Sequence, residues 1–284
     1  MNQTAPTHER VLRPRRGIIA LDLARLWHYR DLLWVLVRRD FVARFQQTVL
    51  GPLWFVLMPL MQALAFTLIF GKGLRTSTDG LPPFLFYQCG MLGWSYFANV
   101  LGTSGNSFQA NSAVFTKVYF PRLIVPLSVV IGSLAPFVLQ VLVFLAFYVP
   151  AALGATAWHA NYLALALLPL AVAQAAVFAL GVSLLTSGLS AKYRDLQHGL
   201  PFLLQLWMFA TPVIYPLSNL GPTARAVAAL NPLTPIAEGF RVAFFGVGTV
   251  NARLCAVSLA GTLLVFVAGL IAFQRAERTF ADTV

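Results

Sequence analysis

Charge is what this sequence has least of. Of its 284 residues 10% are Asp, Glu, Lys or Arg, against 58% hydrophobic, and the mean hydropathy is +0.75. A soluble domain could not cover that many apolar side chains with polar surface, so the chain reads as a polytopic helical membrane protein. Acidic residues are scarcer than basic ones, nine against 20, for a net charge of +11. In a soluble chain such a balance would suggest a nucleic-acid binder. Where apolar spans exist, charge is read by position instead, and no nucleic-acid partner is expected. The two cysteines, Cys89 and Cys255, fall in apolar stretches without metal-ligand spacing. No second His or Cys stands at helical spacing from His28 or His159, and Asp31, three residues after His28, is a lone carboxylate, so no metal site is expected.

Other absences exclude mechanisms. The long apolar blocks hold no Asp, Glu, Lys or Arg, whereas ion-coupled transporters and pumps keep ionisable groups within their spans as relays. Energy for any transport must therefore come from outside the chain. The phosphate-binding pattern GxxxxGK[ST] is missing, because Gly71-Lys72 is followed by Gly73 and preceded by no glycine at the required position. Gly181-Val182-Ser183 is a fragment of a hydrolase motif, but position 185 is Leu and the nearest histidine, His198, sits at a loop edge. It reads as a small-residue packing face, and no catalytic residue is expected. No internal repeat marks a common secondary-transporter fold. The first ten residues are polar and the first long apolar run begins near position 49, so no cleavable signal peptide is expected.

What is present is organised around residues 29–70. Asp31, Arg38, Arg39, Asp40 and Arg44 interleave with Leu32, Leu33, Val35, Leu36, Val37 and Phe41, which suits a helix lying along a membrane surface. From Val49 to Phe70 there is no charge, and roughly 22 residues at about 1.5 Å each suffice to cross a hydrocarbon core. Gly51-Pro52 marks the turn between the two directions. Further on, roughly 69 residues from Leu123 to Ala191 carry no charge and must form a hairpin of two spans, broken between Pro150 and Asn161. Between Pro216 and Arg253 the chain is too apolar for a loop and too interrupted by Pro and Gly for a span, which predicts two short re-entrant helices.

The expected organisation is thus a basic tail (1–21), an amphipathic interface helix (22–48) and six spans near 49–71, 84–106, 123–149, 162–189, 197–215 and 254–274. Re-entrant helices occupy 217–248 and a charged tail 275–284. Lys and Arg then divide as about 15 on the side of the termini and about 5 on the other, which makes both termini cytoplasmic.

Two groups stand out as candidate sites. Trp54, Phe55, Trp94, Tyr96, Phe97, Phe108, Trp207, Phe209 and Tyr215 are singly ordinary interfacial or packing rings. As a set they offer flat apolar faces on which sugar rings can slide. In the broken segment Pro232, Pro235, Glu238 and Arg241 form a candidate gate, with Glu238 and Arg241 placed for an (i, i+3) ion pair.

RRDFVARFQQTVLGPLWFVLMPL (Arg38 to Leu60), KVYFPRLIVPL (Lys117 to Leu127), KYRDLQH (Lys192 to His198), ATPVIYPL (Ala210 to Leu217) and LNPLTPIAEGFR (Leu230 to Arg241) stand in order across six expected spans. Together they resemble a permease of the type-2 ABC exporters, in the polysaccharide and O-antigen export branch. The resemblance implies a homodimer bound to two copies of a separate ATPase, which binds ATP and magnesium; this chain itself needs no cofactor. It implies export of a lipid-linked glycan, on an undecaprenyl carrier, across a bacterial inner membrane. It also implies an interface helix over Asp22 to Phe45, a cytoplasmic coupling helix near Ser107 to Arg122 and gate helices near Leu217 to Gly248. Arg38, Arg39, Phe115, Lys117, Tyr119 and Arg122 are then the residues expected to couple to the ATPase.

Teichoic-acid and capsule permeases share these motifs. A drug- or lipid-exporting permease, or a membrane-embedded enzyme or assembly factor, remains open at this stage. An adjacent ATPase gene beside glycosyltransferase genes would favour polysaccharide export.

The basic asymmetry makes a prediction about sidedness. A cysteine introduced by Asn219→Cys should react with an impermeant thiol reagent from the outer side. Labelling from the cytoplasmic side alone would reverse the topology.

Overall fold

The computed structural model describes residues 23–110, 120–154, 158–190 and 195–281. Among the described residues the regular elements are all helical. Four helical stretches are long and apolar enough to cross a membrane: Gly51–Gly73, Ile124–Leu153, Tyr162–Ser190 and Ala252–Glu277. The basic tail falls outside the described residues.

The interface segment is two helices rather than one, α1 (Leu23–His28) and α2 (Arg30–Phe45), separated at Tyr29, whose ψ of 19° leaves the helical range. Only a narrow side of α2 is covered. Leu33 and Leu36 pack with Phe120, Ile124 and Val125, while Trp34, Val35 and Val42 are exposed. After a left-handed turn at Gly51, which glycine adopts without steric cost, a single 3₁₀ turn over Gly51–Leu53 opens α3 (Trp54–Phe66). A π-helical turn, Thr67–Gly73, ends the stretch. There the Thr67 hydroxyl donates to the Ala63 carbonyl at 2.8 Å. A Cβ at Gly71 would lie 2.9 Å from the Pro83 Cβ, so only glycine lets the end of this stretch meet the start of α4 (Pro83–Ala110).

α4 is the buried centre. Phe86, Tyr87, Cys89, Leu92, Tyr96, Phe97, Val100 and Leu101 are each at most 2% exposed. The 84–106 segment is less uniformly apolar than the four stretches above because its polar groups, Tyr87, Gln88 and Ser104, face protein. The next pair, α5 (Ile124–Gly132) and α6 (Leu134–Leu153), replaces the single straight helix expected over 123–149. The join is Ser133, whose hydroxyl donates to the Val129 carbonyl, and Pro136 follows, lacking a backbone N–H. α7 (Tyr162–Ser190) begins with the Asn161 side chain accepting from the Ala164 N–H at 3.1 Å.

α8 (Asp195–Ala210) stops short of the expected end at 215. At 16 residues it is about 24 Å long, less than a hydrocarbon thickness. Thr211, Pro212, Val213 and Ile214 follow it, buried and outside any helix. Two short helices follow, α9 (Pro222–Ala228) and α10 (Leu233–Phe245). α11 (Ala252–Ala281) runs on through what the sequence suggests is a free charged tail.

Directions follow from the contacts. Phe66 meets Tyr87 and Gly71 meets Pro83, so α3 and α4 are antiparallel. Tyr96 meets Phe137 and Phe84 meets Phe147, so α4 and α6 are antiparallel. α7 and α11 run parallel: Gln174 bonds Ser258, Gly181 lies against Phe266 and Gly188 against Ala272. The chain between them must therefore travel back along the bundle.

The α7–α11 seam is a close backbone approach. A Cβ on Gly181 would sit 2.7 Å from the Phe266 Cα, and one on Gly269 would be driven into the Gly181 carbonyl oxygen. Small residues at such seams let dispersion contacts form along both backbones. Gly269→Ala should lower the melting temperature of the detergent-purified chain, with overpacking costing about 1–3 kcal/mol. Gly199→Ala, with nothing within 4 Å of the added carbon, should leave it level or raised. Equal melting temperatures for Gly269→Ala and the parent would refute the close seam.

Candidate functional site

α10 carries the densest polar constellation in the apolar bundle. Its Glu238 and Arg241, one turn apart, are each 1% exposed. Arg241 Nη1 donates to Glu238 Oε1 at 2.8 Å and Nη2 to the Val213 carbonyl at 2.9 Å. The guanidinium carbon lies 3.8 Å from the centroid of the Phe86 ring in α4, a cation–π contact. Glu238 Oε1 also accepts from the Leu217 N–H at 3.3 Å, and Oε2 from the Thr249 N–H at 2.8 Å. One ion pair thus ties together the turn after α8, the helix α10 and the loop before α11.

Glycines make room for it. A Cβ on Gly90 would lie 2.8 Å from Arg241 Nη2. Gly246 ends α10 in the left-handed conformation at φ 67°, and Gly248 at φ 148° passes so close that a Cβ would meet Glu238 Oε2 at 3.1 Å.

The other end of α10 is anchored separately. Asn231 accepts from Trp207 Nε1 at 3.3 Å and from the Leu233 N–H at 3.1 Å, and donates to the Thr211 hydroxyl at 2.9 Å. The Ser258 hydroxyl of α11 donates to the Pro232 carbonyl, and Gln174 of α7 donates to Ser258. All four residues of the expected gate, Pro232, Pro235, Glu238 and Arg241, are buried together.

The aromatic set does not form one surface. Phe97 stacks on Phe178 at 5.3 Å and meets Trp207 edge-on at 5.1 Å. Trp94, Tyr96 and Phe97 are 6%, 2% and 0% exposed, so their faces are filled by the chain's own helices. Trp54 and Phe209 are exposed, and Phe55, Trp207 and Tyr215 are half-buried. Spacing alone could not separate the two groups, because both lie on apolar helices.

Arg38 and Arg39 are exposed on α2, and Arg39 binds Asp40 Oδ1 at 2.8 Å through Nε. Arg122 reaches the end of α11, with Nη1 donating to the Glu277 carbonyl at 3.3 Å and Nε 3.8 Å from its carboxylate. Phe115, Lys117 and Tyr119, and the side chain of Phe108, lie outside the described residues. Arg44, a basic residue of the expected interface helix, binds Asn99 Oδ1 at 3.0 Å and the Thr103 hydroxyl. Burial of its guanidinium lowers its pKa, and the nearby Asp40 opposes that shift; an arginine remains a cation under either influence. Among the described residues no cluster of His, Cys, Asp or Glu could hold a metal ion.

Removing one partner of a buried pair strands the other charge, at about 3–5 kcal/mol. Glu238→Gln or Arg241→Met should therefore lower the melting temperature more than the double substitution to Met at both positions. The comparison is a thermal-unfolding double-mutant cycle, and additive losses would show that the two side chains act independently.

Comparisons with known proteins give the family. Residues 31–245 match the family model described as ABC-2 type transporter. The chain is 32% identical over 262 residues to the O-antigen export system permease protein RfbA of Myxococcus xanthus, covering 91% of this chain and 97% of that protein. It is 28% identical over 253 residues to a protein of the same name from Klebsiella pneumoniae, covering 89% and 94% respectively. With three quarters of its length matched, and with a relative above 30% identity along nearly the whole chain, this protein belongs to the ABC-2 type transporter family.

Proposed function

We propose that two copies of this chain, joined to two copies of a separate ATPase, carry a lipid-linked polysaccharide of the O-antigen type across the bacterial inner membrane. The observation that carries the reading is the end-to-end similarity to proteins named as O-antigen export permeases. The absence of Asp, Glu, Lys and Arg from the apolar blocks supports a polar, uncharged glycan as the part of the cargo in passage and an external energy source. ATP and magnesium belong to the partner ATPase in this reading, and the chain itself is not an enzyme.

Six crossings follow if α4 and α8 with its 211–217 continuation join the four apolar helical stretches. The parallel run of α7 and α11 supports this, since the chain must return between them. In that arrangement both termini are cytoplasmic. α9 and α10 enter from the outer side without crossing, and Glu238–Arg241 holds the outer mouth shut. The 107–122 segment with Arg38, Arg39, Phe115, Lys117, Tyr119 and Arg122 forms the surface toward the ATPase.

The passage lies between copies and is lined by the rings left uncovered in each chain: Trp54, Phe55, Phe209, Tyr215 and the edge of Trp207. Trp94, Tyr96 and Phe97 stiffen its wall from behind. Each ring-to-sugar contact is worth about 1 kcal/mol by analogy with other aromatic contacts, so single losses should be modest and combined losses severe.

In cells, Trp54→Ala combined with Phe209→Ala should reduce surface glycan severalfold at normal permease abundance. Phe97→Ala should act chiefly by lowering abundance. Full surface glycan in the double variant would remove the lining, and export persisting without any ATPase partner would remove the transport reading as a whole.

A further inference from the structure

Where α2 meets α4 and α5, a cleft of about 360 Å³, including its open mouth, lies beside the start of the first apolar stretch. Val37, Phe41, Phe55 and Val129 give it apolar walls, and Arg44 and Thr103 give it a polar end. The Arg44 guanidinium rests 5.3 Å from the Phe55 ring centroid. Its hydrogen-bond partners there, Asn99 Oδ1 and the Thr103 hydroxyl, are both neutral. The neighbouring carboxylate, Asp40, also lines the cleft but is engaged by Arg39, whose Nε and Nη2 reach its Oδ1 at 2.8 and 2.6 Å. The Asp40 carboxylate is thus hydrogen-bonded by Arg39, while the Arg44 guanidinium is held by neutral groups.

A second observation points the same way. Because Asn99 Oδ1 accepts from Arg44, the orientation of that amide is set, and its Nδ2 is a donor. That Nδ2 is buried and has no acceptor. A buried donor without an acceptor costs free energy until something supplies one. When it sits on the same amide that holds a cation bonded to neutral groups, the group that fits is an oxyanion, whose oxygens would meet both charge and donor after a small rotation of the amide.

We propose that this cleft binds the phosphate of a lipid, with Arg44, Asn99 and Thr103 on the phosphate oxygens and the apolar walls around the first carbons of the chain. A lipid is favoured over a free anion by those walls and by exposed Leu53 and Trp54, which immediately precede Phe55 in the chain. The phosphate belongs either to a bilayer phospholipid or to a lipid-linked cargo. Only the cargo alternative rests on the transport reading above.

The test is binding of phosphatidylglycerol, a polyprenyl diphosphate and inorganic phosphate to the full chain in a phosphate-free maltoside detergent. Arg44→Gln should weaken lipid binding at least tenfold, and Arg44→Lys should retain part of it. Asn99→Asp should weaken binding as strongly, because its carboxylate takes the place of the ligand, while leaving the melting temperature level or raised. Equal losses for both lipids assign a general lipid-phosphate site, and loss of the diphosphate alone assigns a cargo site. Inorganic phosphate competing as well as the lipids would overturn the lipid part. Unchanged lipid binding in Arg44→Gln and Asn99→Asp would overturn the site.

Discussion

A carboxylate and a guanidinium withdrawn from water together, Glu238 and Arg241, are the constraint on which the arrangement of α10 depends. Neither ion could be held at 1% exposure by its partner alone. The desolvation of two charges is offset by hydrogen bonds to Val213, Leu217 and Thr249 and by the face of Phe86, although Arg241 Nε is left without an acceptor. The pair therefore prescribes where three separate backbone segments lie. It also explains why positions 90, 246 and 248 are glycine, since a side chain at the first and last would press on Arg241 and Glu238 respectively, and position 246 needs the left-handed conformation.

Such a pair adds little net stability compared with a well-packed apolar substitute, but it makes intermediate geometries costly. If α10 slid partway, it would leave a lone charge in an apolar interior, so partial displacement is disfavoured. The anchor at the other end of α10 differs in kind. Asn231, Thr211 and Ser258 are neutral, and their bonds can be exchanged for water or for one another at small cost.

Around this element the bundle is stiff where backbones touch and adaptable where they do not. The glycine seam of α7 and α11 leaves no room for sliding. Arg122 ties the start of α5 to the far end of α11, joining the segment nearest α2 to that seam. The Ser258 hydroxyl of α11 holds the Pro232 carbonyl as well, so α11 is bonded both to the segment before α5 and to the start of α10.

The sequence by itself determined the class of the protein and much of its order along the chain. Long charge-free runs can only be buried or face lipid, and Pro and Gly clusters tend to end helices, so four helical stretches long and apolar enough to cross a membrane and the short helices before α11 were legible. The (i, i+3) spacing of Glu238 and Arg241 showed that they could pair. Tertiary structure decided the rest. Whether Trp94 and Phe97 face a passage or a neighbour depends on which side of α4 the other helices cover, and a helix apolar all round carries no period to reveal it. The helix break at Tyr29, the bend at Ser133 and the early end of α8 at Ala210 depend on local hydrogen bonding and packing that composition does not encode. The same holds for Arg44, Asn99 and Thr103, which lie 55 and 59 positions apart in pairs and become one site only when α2 is laid against α4. Composition selects the solvent of each segment, but only packing selects its neighbours.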